Sequence, residues 1–218
     1  MKLDTKKLCV LAMLSALAFL LAAFVRVPVI PAPPLRYDPK DVIIVIAGFI
    51  YGPMAAFIVT VVVSFVQMVT VSATGYIGFL MNVVASTALC CTAAFIYKKN
   101  RTMKGALLGL IVGIIFATAI MMLWNYIITP IFLRIPREAV VPILLPSILP
   151  FNLVSNTLNA ALAMLLYKQV KTILQKTRLM PITNDTDNKA GFNKGIIIAS
   201  LFVILTCILW VLILRGVI

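Results

Sequence analysis

Thirty consecutive residues, Val42–Val71, carry no charged side chain, and five further stretches of at least seventeen residues are equally uncharged: Leu8–Val25, Tyr76–Tyr97, Gly105–Ile128, Phe151–Tyr167 and Gly195–Leu214. Segments of this length and character match the hydrocarbon thickness of a bilayer. Composition agrees. Apolar residues make up 63% of the 218-residue chain and charged residues 11%, against about 25% charged in soluble domains. Lipid is therefore the solvent for most of the chain. The segments are continuously apolar and do not alternate as barrel strands do, so the backbone must satisfy its own hydrogen bonds as helices. The expected fold class is an all-α membrane protein.

Several chemistries are disfavoured at once. The chain has no histidine, and its six acids are Asp4, Asp38, Asp41, Glu138, Asp185 and Asp187. All of them stand at or outside the ends of the apolar stretches, so no intramembrane carboxylate is expected. Proton relays and histidine-ligated metal need such interior groups. The four cysteines, Cys9, Cys90, Cys91 and Cys207, lack C-x-x-C spacing and read as small core residues. No paired nucleophile and base is visible within the membrane, so the chain is not expected to be an enzyme.

The net charge of +13 is concentrated between spans, which makes it a topology signal and not a nucleic-acid surface. Basic clusters lie at Lys2, Lys6 and Lys7; at Lys98, Lys99, Arg101 and Lys104; and at Lys168, Lys171, Lys176 and Arg178, continuing to Lys189 and Lys194. All three belong on the cytoplasmic side of a multi-pass chain, with the N-terminus cytoplasmic. If Val42–Val71 crossed once, the second cluster would fall outside. A turn at Gly52-Pro53 repairs the parity, since proline cannot continue a helical ladder. A short helix from about Asp41 to Tyr51 then runs inward, and Met54–Thr70 returns.

With Leu8–Val25, Tyr76–Tyr97, Gly105–Ile128 and Phe151–Tyr167, this makes a six-helix core over residues 1–178. Thr129–Pro150 is expected as a proline-rich outer loop. A polar linker, 179–193, leads to an additional transmembrane helix in 194–218. Lys6 and Lys7 before an apolar run resemble a signal peptide, but the run is long and lacks a clean small-residue cleavage site, so it is read as a helix.

Function must rest on neutral polar groups. Asn82, Asn125 and Asn152 all fall in the outer half of their spans, and Asn152, Asn156 and Asn159 share one helical face. A lone membrane asparagine usually bridges helices. Amides from three helices at one depth suit a neutral ligand with alternating donors and acceptors. Tyr76, Phe79, Trp124, Tyr126 and Phe151 surround the same depth; interfacial anchoring is the usual explanation of such rings, and flat apolar walls beside the amides would also suit a heteroaromatic ring. The outer loop Pro28–Lys40, containing Pro28, Pro31, Pro33 and Pro34, is stiff and suits a lid. Ala12 and Ala16, Ala18 and Ala22, and Gly105, Gly109 and Gly113 mark close helix packing. No nucleotide-binding motif is present, so active transport would need a partner.

Four segments carry a family resemblance: "LRYDPKDVIIVIAGFIYGP" (Leu35–Pro53), "LMNVVAS" (Leu80–Ser86), "WNYIITPIFL" (Trp124–Leu133) and "PFNLVSN" (Pro150–Asn156). The chain resembles the S components of energy-coupling-factor (ECF) vitamin transporters, most closely the riboflavin-specific RibU type, over roughly Lys6 to Lys176. The resemblance implies a six-helix subunit of the bacterial plasma membrane that captures riboflavin from outside and carries no cofactor. Its partners would be a transmembrane coupling subunit and two cytosolic ATPases, docked on the Ala12 and Ala16 surface of the first helix. Ligand contacts implied by motif are Tyr37, Asp38, Asn82, Asn125 and Asn152, with Asn156 and Trp124 beside them. Ser155 stands where family members commonly have lysine, and the last apolar helix is additional. Another flat neutral vitamin is the near alternative. A stand-alone secondary transporter and a ligand-free scaffold are the distant ones.

Overall fold

Gly52 adopts φ +93° and Pro53 opens the following helix. The long uncharged stretch is thereby broken into a hairpin of α2 (Lys40–Tyr51) and α3 (Pro53–Thr70), as the Gly-Pro step and the charge parity required. The computed structural model describes residues 5–30, 35–72, 74–177 and 194–214. Around the hairpin stand α1 (Thr5–Phe24), α4 (Gly75–Ser86), α5 (Thr92–Lys99), α6 (Met103–Leu133), α7 (Arg137–Ile143), α8 (Leu149–Lys176) and α9 (Lys194–Leu214). Two strands, β1 (Val27–Ile30) and β2 (Leu35–Tyr37), pair antiparallel with a bulge between Pro28 and Ile30. The expected linker 179–193 lies outside the described residues.

Five helical stretches are long and apolar enough to cross a membrane: Thr5–Phe24, Pro53–Thr70, Gly75–Lys99, Met103–Phe132 and Arg137–Lys176. The apolar part of α9, Ile197–Ile213, is shorter. At twelve residues α2 rises only about 18 Å, and the bundle shields it instead of lipid. Every residue from Lys40 to Phe49 is buried, against α1, α3, α5 and α8. Ile44, Val45 and Ile46 have no exposed surface at all. This is how a helix too short to span is kept from presenting its ends to hydrocarbon.

The glycine row of α6 packs internally. A Cβ on Gly109 would lie 2.7 Å from the carbonyl oxygen of Ala93, and one on Gly113 2.8 Å from that of Leu89. Backbone meets backbone there, so alanine would force α6 away from α5 and from the π-helical turn Thr87–Cys91 that joins α4 to α5. On α1, Ala18 and Ala22 are fully buried, whereas Ala12 and Ala16 are exposed. Cys9 is also exposed, which corrects its reading as a core residue: it lies on the outward side of α1.

The lysine-rich end is closed by three aromatic rings packed tilted and edge to face. Phe49 sits 4.6 Å from Tyr97 and 5.5 Å from Tyr167, centroid to centroid, and the two phenols hydrogen-bond at 2.9 Å. At the opposite end, Arg26 donates from Nε to the carbonyl of Ala22 and from a terminal nitrogen to that of Val71, tying α1 to α3 just before the strands begin.

Two sequence expectations change here. The segment Thr129–Pro150 is not a loop: α6 runs through Pro130 to Leu133, and α7 leads through a π-helical turn, Leu144–Ile148, straight into α8. Proline is tolerated because neighbouring groups re-satisfy the freed carbonyls in membrane helices. Pro28–Lys40 likewise contains the β1–β2 pair, so among the described residues the fold is all-α apart from this small cap. Pro31, Pro33 and Pro34 lie outside the described residues.

Candidate functional site

α8 brings its amides inward. Asn152, Asn156 and Asn159 are all buried on one face, and each meets a different element. Asn152 donates to the carbonyl of Ile148 one turn earlier at 2.8 Å. The amide of Asn156 reaches Oγ1 of Thr118 on α6 at 3.5 Å. Oδ1 of Asn159 accepts from the Tyr37 phenol at 2.8 Å. The row therefore links α8 both to α6 and to the strand cap. Burial, reinforced by the carboxylates of Asp41 and then Asp38, raises the Tyr37 pKa, so its hydroxyl stays a donor.

The other two amides are half-buried on their own helices. Asn82 donates to Gly78 at 2.9 Å, and Asn125 donates to Met121 at 2.8 Å while accepting from Thr129 at 3.0 Å. Among the described residues no hydrogen bond joins Asn82, Asn125 and Asn152 to one another. A primary amide offers two hydrogens and two lone pairs, so one intrahelical bond leaves each able to take a polar guest. Trp124 is half-buried beside Gly78, Met81 and Thr129 around a small cleft of about 60 Å3 between α4 and α6, adjacent in sequence to Asn82 and Asn125. Phe151 packs beneath the cap with Leu35, Leu158, Val29 and Tyr37.

Asp38 is engaged by an ion pair with Lys40 at 2.8 Å. Its neighbour Asp41 accepts from Oγ of Ser86 at 2.5 Å. Ser86 is the twelfth residue of the 25-residue helical stretch Gly75–Lys99, about 17 Å from one end and about 20 Å from the other. Lys40 and Asp41, 5% and 8% exposed, thus sit level with the middle of a spanning helix. This corrects the expectation that every acid stands at or outside the membrane boundary. The ladder of α2 starts deep because the helix is short and its other end reaches Tyr97 and Tyr167. Membrane-interior charges of this kind face the bundle interior and are paired, as these are.

Sequence reading also missed α3. Thr60, Ser64 and Gln67 recur on one face and are buried to 3% exposure or less, and their side-chain oxygens have no partner among the described residues. The i, i+4, i+7 spacing was there to be read, but each residue alone is unremarkable in an apolar helix. On α8 the Ser155 hydroxyl is likewise buried with no partner among the described residues. It lines a cavity of about 230 Å3 with Val29, Tyr37, Cys207 and Val211, between the cap, α8 and α9.

The family model for the ECF transporter substrate-specific component matches residues 6–167. The chain belongs to this family. It is 31% identical to the riboflavin transporter RibU of Staphylococcus aureus (strain TCH60) over 180 residues, covering 79% of this chain and 94% of the relative. It is 31% identical to the riboflavin transporter FmnP of Bacillus subtilis (strain 168), covering 81% and 97%. A solved structure described as the S component of a bacterial ECF transporter superposes with a TM-score of 0.67 at 32% identity, covering 78% of this chain and 98% of that one. This ECF S component is a membrane transporter subunit and not an enzyme. The family match stops at residue 167, so α9 stands beyond it.

Proposed function

We propose that this S component binds riboflavin from the extracellular side and delivers it through an ECF module with a transmembrane coupling subunit and two cytosolic ATPases. The observation that carries the reading is the buried α8 amide row, bonded to α6 by Asn156 and to the cap by Asn159. Asn152 of that row, Asn125 of α6 and Asn82 of α4 keep spare hydrogen-bonding capacity. The two riboflavin transporters at 31% identity support the same ligand. The flavin's polar edge would take Asn125 and Asn152, with Asn82 and Asn156 supporting and Trp124 flanking the ring. Tyr37 and Asp38 hold the cap, the first through Asn159 and the second through Lys40. The lysine-rich end faces the cytoplasm, and exposed Ala12 and Ala16 give α1 a shallow surface on which a coupling subunit can pack.

The absorption spectrum of protein purified from riboflavin-fed cells tests this. A flavin band retained through purification is expected. Colourless protein that fails to quench added riboflavin fluorescence would refute it and favour another flat vitamin, a reading that the unpaired Ser155 hydroxyl supports. The charges at mid-depth give a reason to test stand-alone uptake as well: riboflavin accumulation in vesicles lacking the ATPases would establish that mode instead.

A further inference from the structure

Between α6, α8 and α9 lies a cavity of about 280 Å3, apolar apart from two hydroxyls. Leu107 and Ile111 of α6, Ala161 and Met164 of α8, and Ala199 and Val203 of α9 form its walls. It is not part of the amide site described above. All its α6 residues come from the first twelve of that helix, and its α9 residues from the first ten of theirs, so it occupies the half of the bundle nearer the lysine-rich end.

The size of the cavity selects its occupant. Leu107 and Ile111 are about half exposed, so the cavity opens onto the outside of the bundle. A single hydrocarbon chain fits: at about 30 Å3 for each water-sized group, the cavity takes roughly nine. Charge supplies the second constraint. Lys104 stands three residues before Leu107 and Lys168 four after Met164, each one helical turn from a lining residue on the same face. Because α6 leaves the lysine-rich end and α8 returns to it, both cations flank the same mouth. Lys104 is exposed and Lys168 half-buried.

We propose that this cavity seats one acyl chain of an anionic glycerophospholipid, with its phosphate held at Lys104 and Lys168. The lipid completes the seam between α9 and the six-helix core. No vitamin is required for it, so the proposal stands or falls independently of the ligand assignment.

Native mass spectrometry of the full chain in detergent, titrated with phosphatidylglycerol, phosphatidylcholine or oleate, tests it. One phosphatidylglycerol should bind at least tenfold more tightly than either of the others, since basic residues near a membrane surface each favour anionic lipid. Ala199→Trp fills the cavity from an exposed position and should abolish this binding while the melting temperature without lipid stays unchanged. The double variant Lys104→Gln/Lys168→Gln keeps the cavity and should bring phosphatidylglycerol down to the phosphatidylcholine level. Equal binding of all three additives, or phosphatidylglycerol binding that survives Ala199→Trp, would overturn the proposal. So would a second protein that co-purifies with the wild type and is lost from Ala199→Trp.

Discussion

The phenol of Tyr37 donates to Oδ1 of Asn159 across 122 residues of sequence, joining the strand cap to the buried amide row of α8. The bond is the cap's direct hydrogen bond to that helix among the described residues. Removing the hydroxyl loses a bond worth about 1 kcal/mol and frees Asn159. The Tyr37→Phe variant should therefore release flavin about fivefold faster, measured as fluorescence recovery after dilution. An unchanged release rate would mean that the cap does not control exit.

Asn125 and Asn152 test the amide site itself. Replacing either with alanine should weaken flavin binding by about 1–3 kcal/mol, because a polar group of the ligand is left unpaired. Each existing bond is local, to a residue four positions away, so helical circular dichroism should stay the same. Titration by fluorescence quenching gives the affinity. Full affinity in both variants would remove these residues from the site.

The buried pair of Asp41 and Ser86 bears on stability more than on binding. A hydrogen bond to a charged group contributes about 1.5–3 kcal/mol, and here it fixes the deep end of α2 to the middle of the α4–α5 stretch. Ser86→Ala should lower the detergent melting temperature by an amount of that order. Asp41→Ala should cost more, because Lys40 then loses a nearby negative charge inside the bundle as well. If both variants melt with the wild type, the charges are not structural.

The exposed pair Ala12 and Ala16 separates docking from binding. Tryptophan at either position adds bulk to an outward face of α1 without entering the core. ATP-driven riboflavin uptake by the assembled transporter should be lost, while the isolated subunit keeps its affinity. Uptake at the wild-type rate in both variants would place the docking surface elsewhere.

What could be read from the chain without coordinates followed from two strong signals. Apolar length gave the spanning helices, and charge parity with Gly52-Pro53 gave the α2–α3 hairpin. The prolines misled between Thr129 and Pro150, because Pro130 and Pro142 are carried within helices and only tertiary packing can absorb them. Asp41 misled for a related reason. In sequence it borders an apolar run and so looks interfacial. Yet a twelve-residue helix anchored among the aromatic rings at the lysine-rich end must begin near mid-depth, and that step was open to reasoning once α2 was recognised as short. The helical face shared by Asn152, Asn156 and Asn159 was visible as periodicity. Their separate partners, Thr118 and Tyr37, were not, since pairing across 38 and 122 residues leaves no local pattern.

Thr60 offers a test of the α3 stripe. Its hydroxyl is fully buried with no partner among the described residues, a condition that costs about 1–3 kcal/mol when nothing fills it. Thr60→Val keeps the shape and removes the polar atom. If the site is dry, the variant should gain about 1 kcal/mol and melt at a higher temperature in detergent. If the stripe instead holds ordered water or a polar edge of the ligand, Thr60→Val should melt lower or bind flavin more weakly. The two signs separate an uncompensated core defect from a third polar wall of the binding site, and Ser64→Ala, four residues along the same face, should move in the same direction as Thr60→Val.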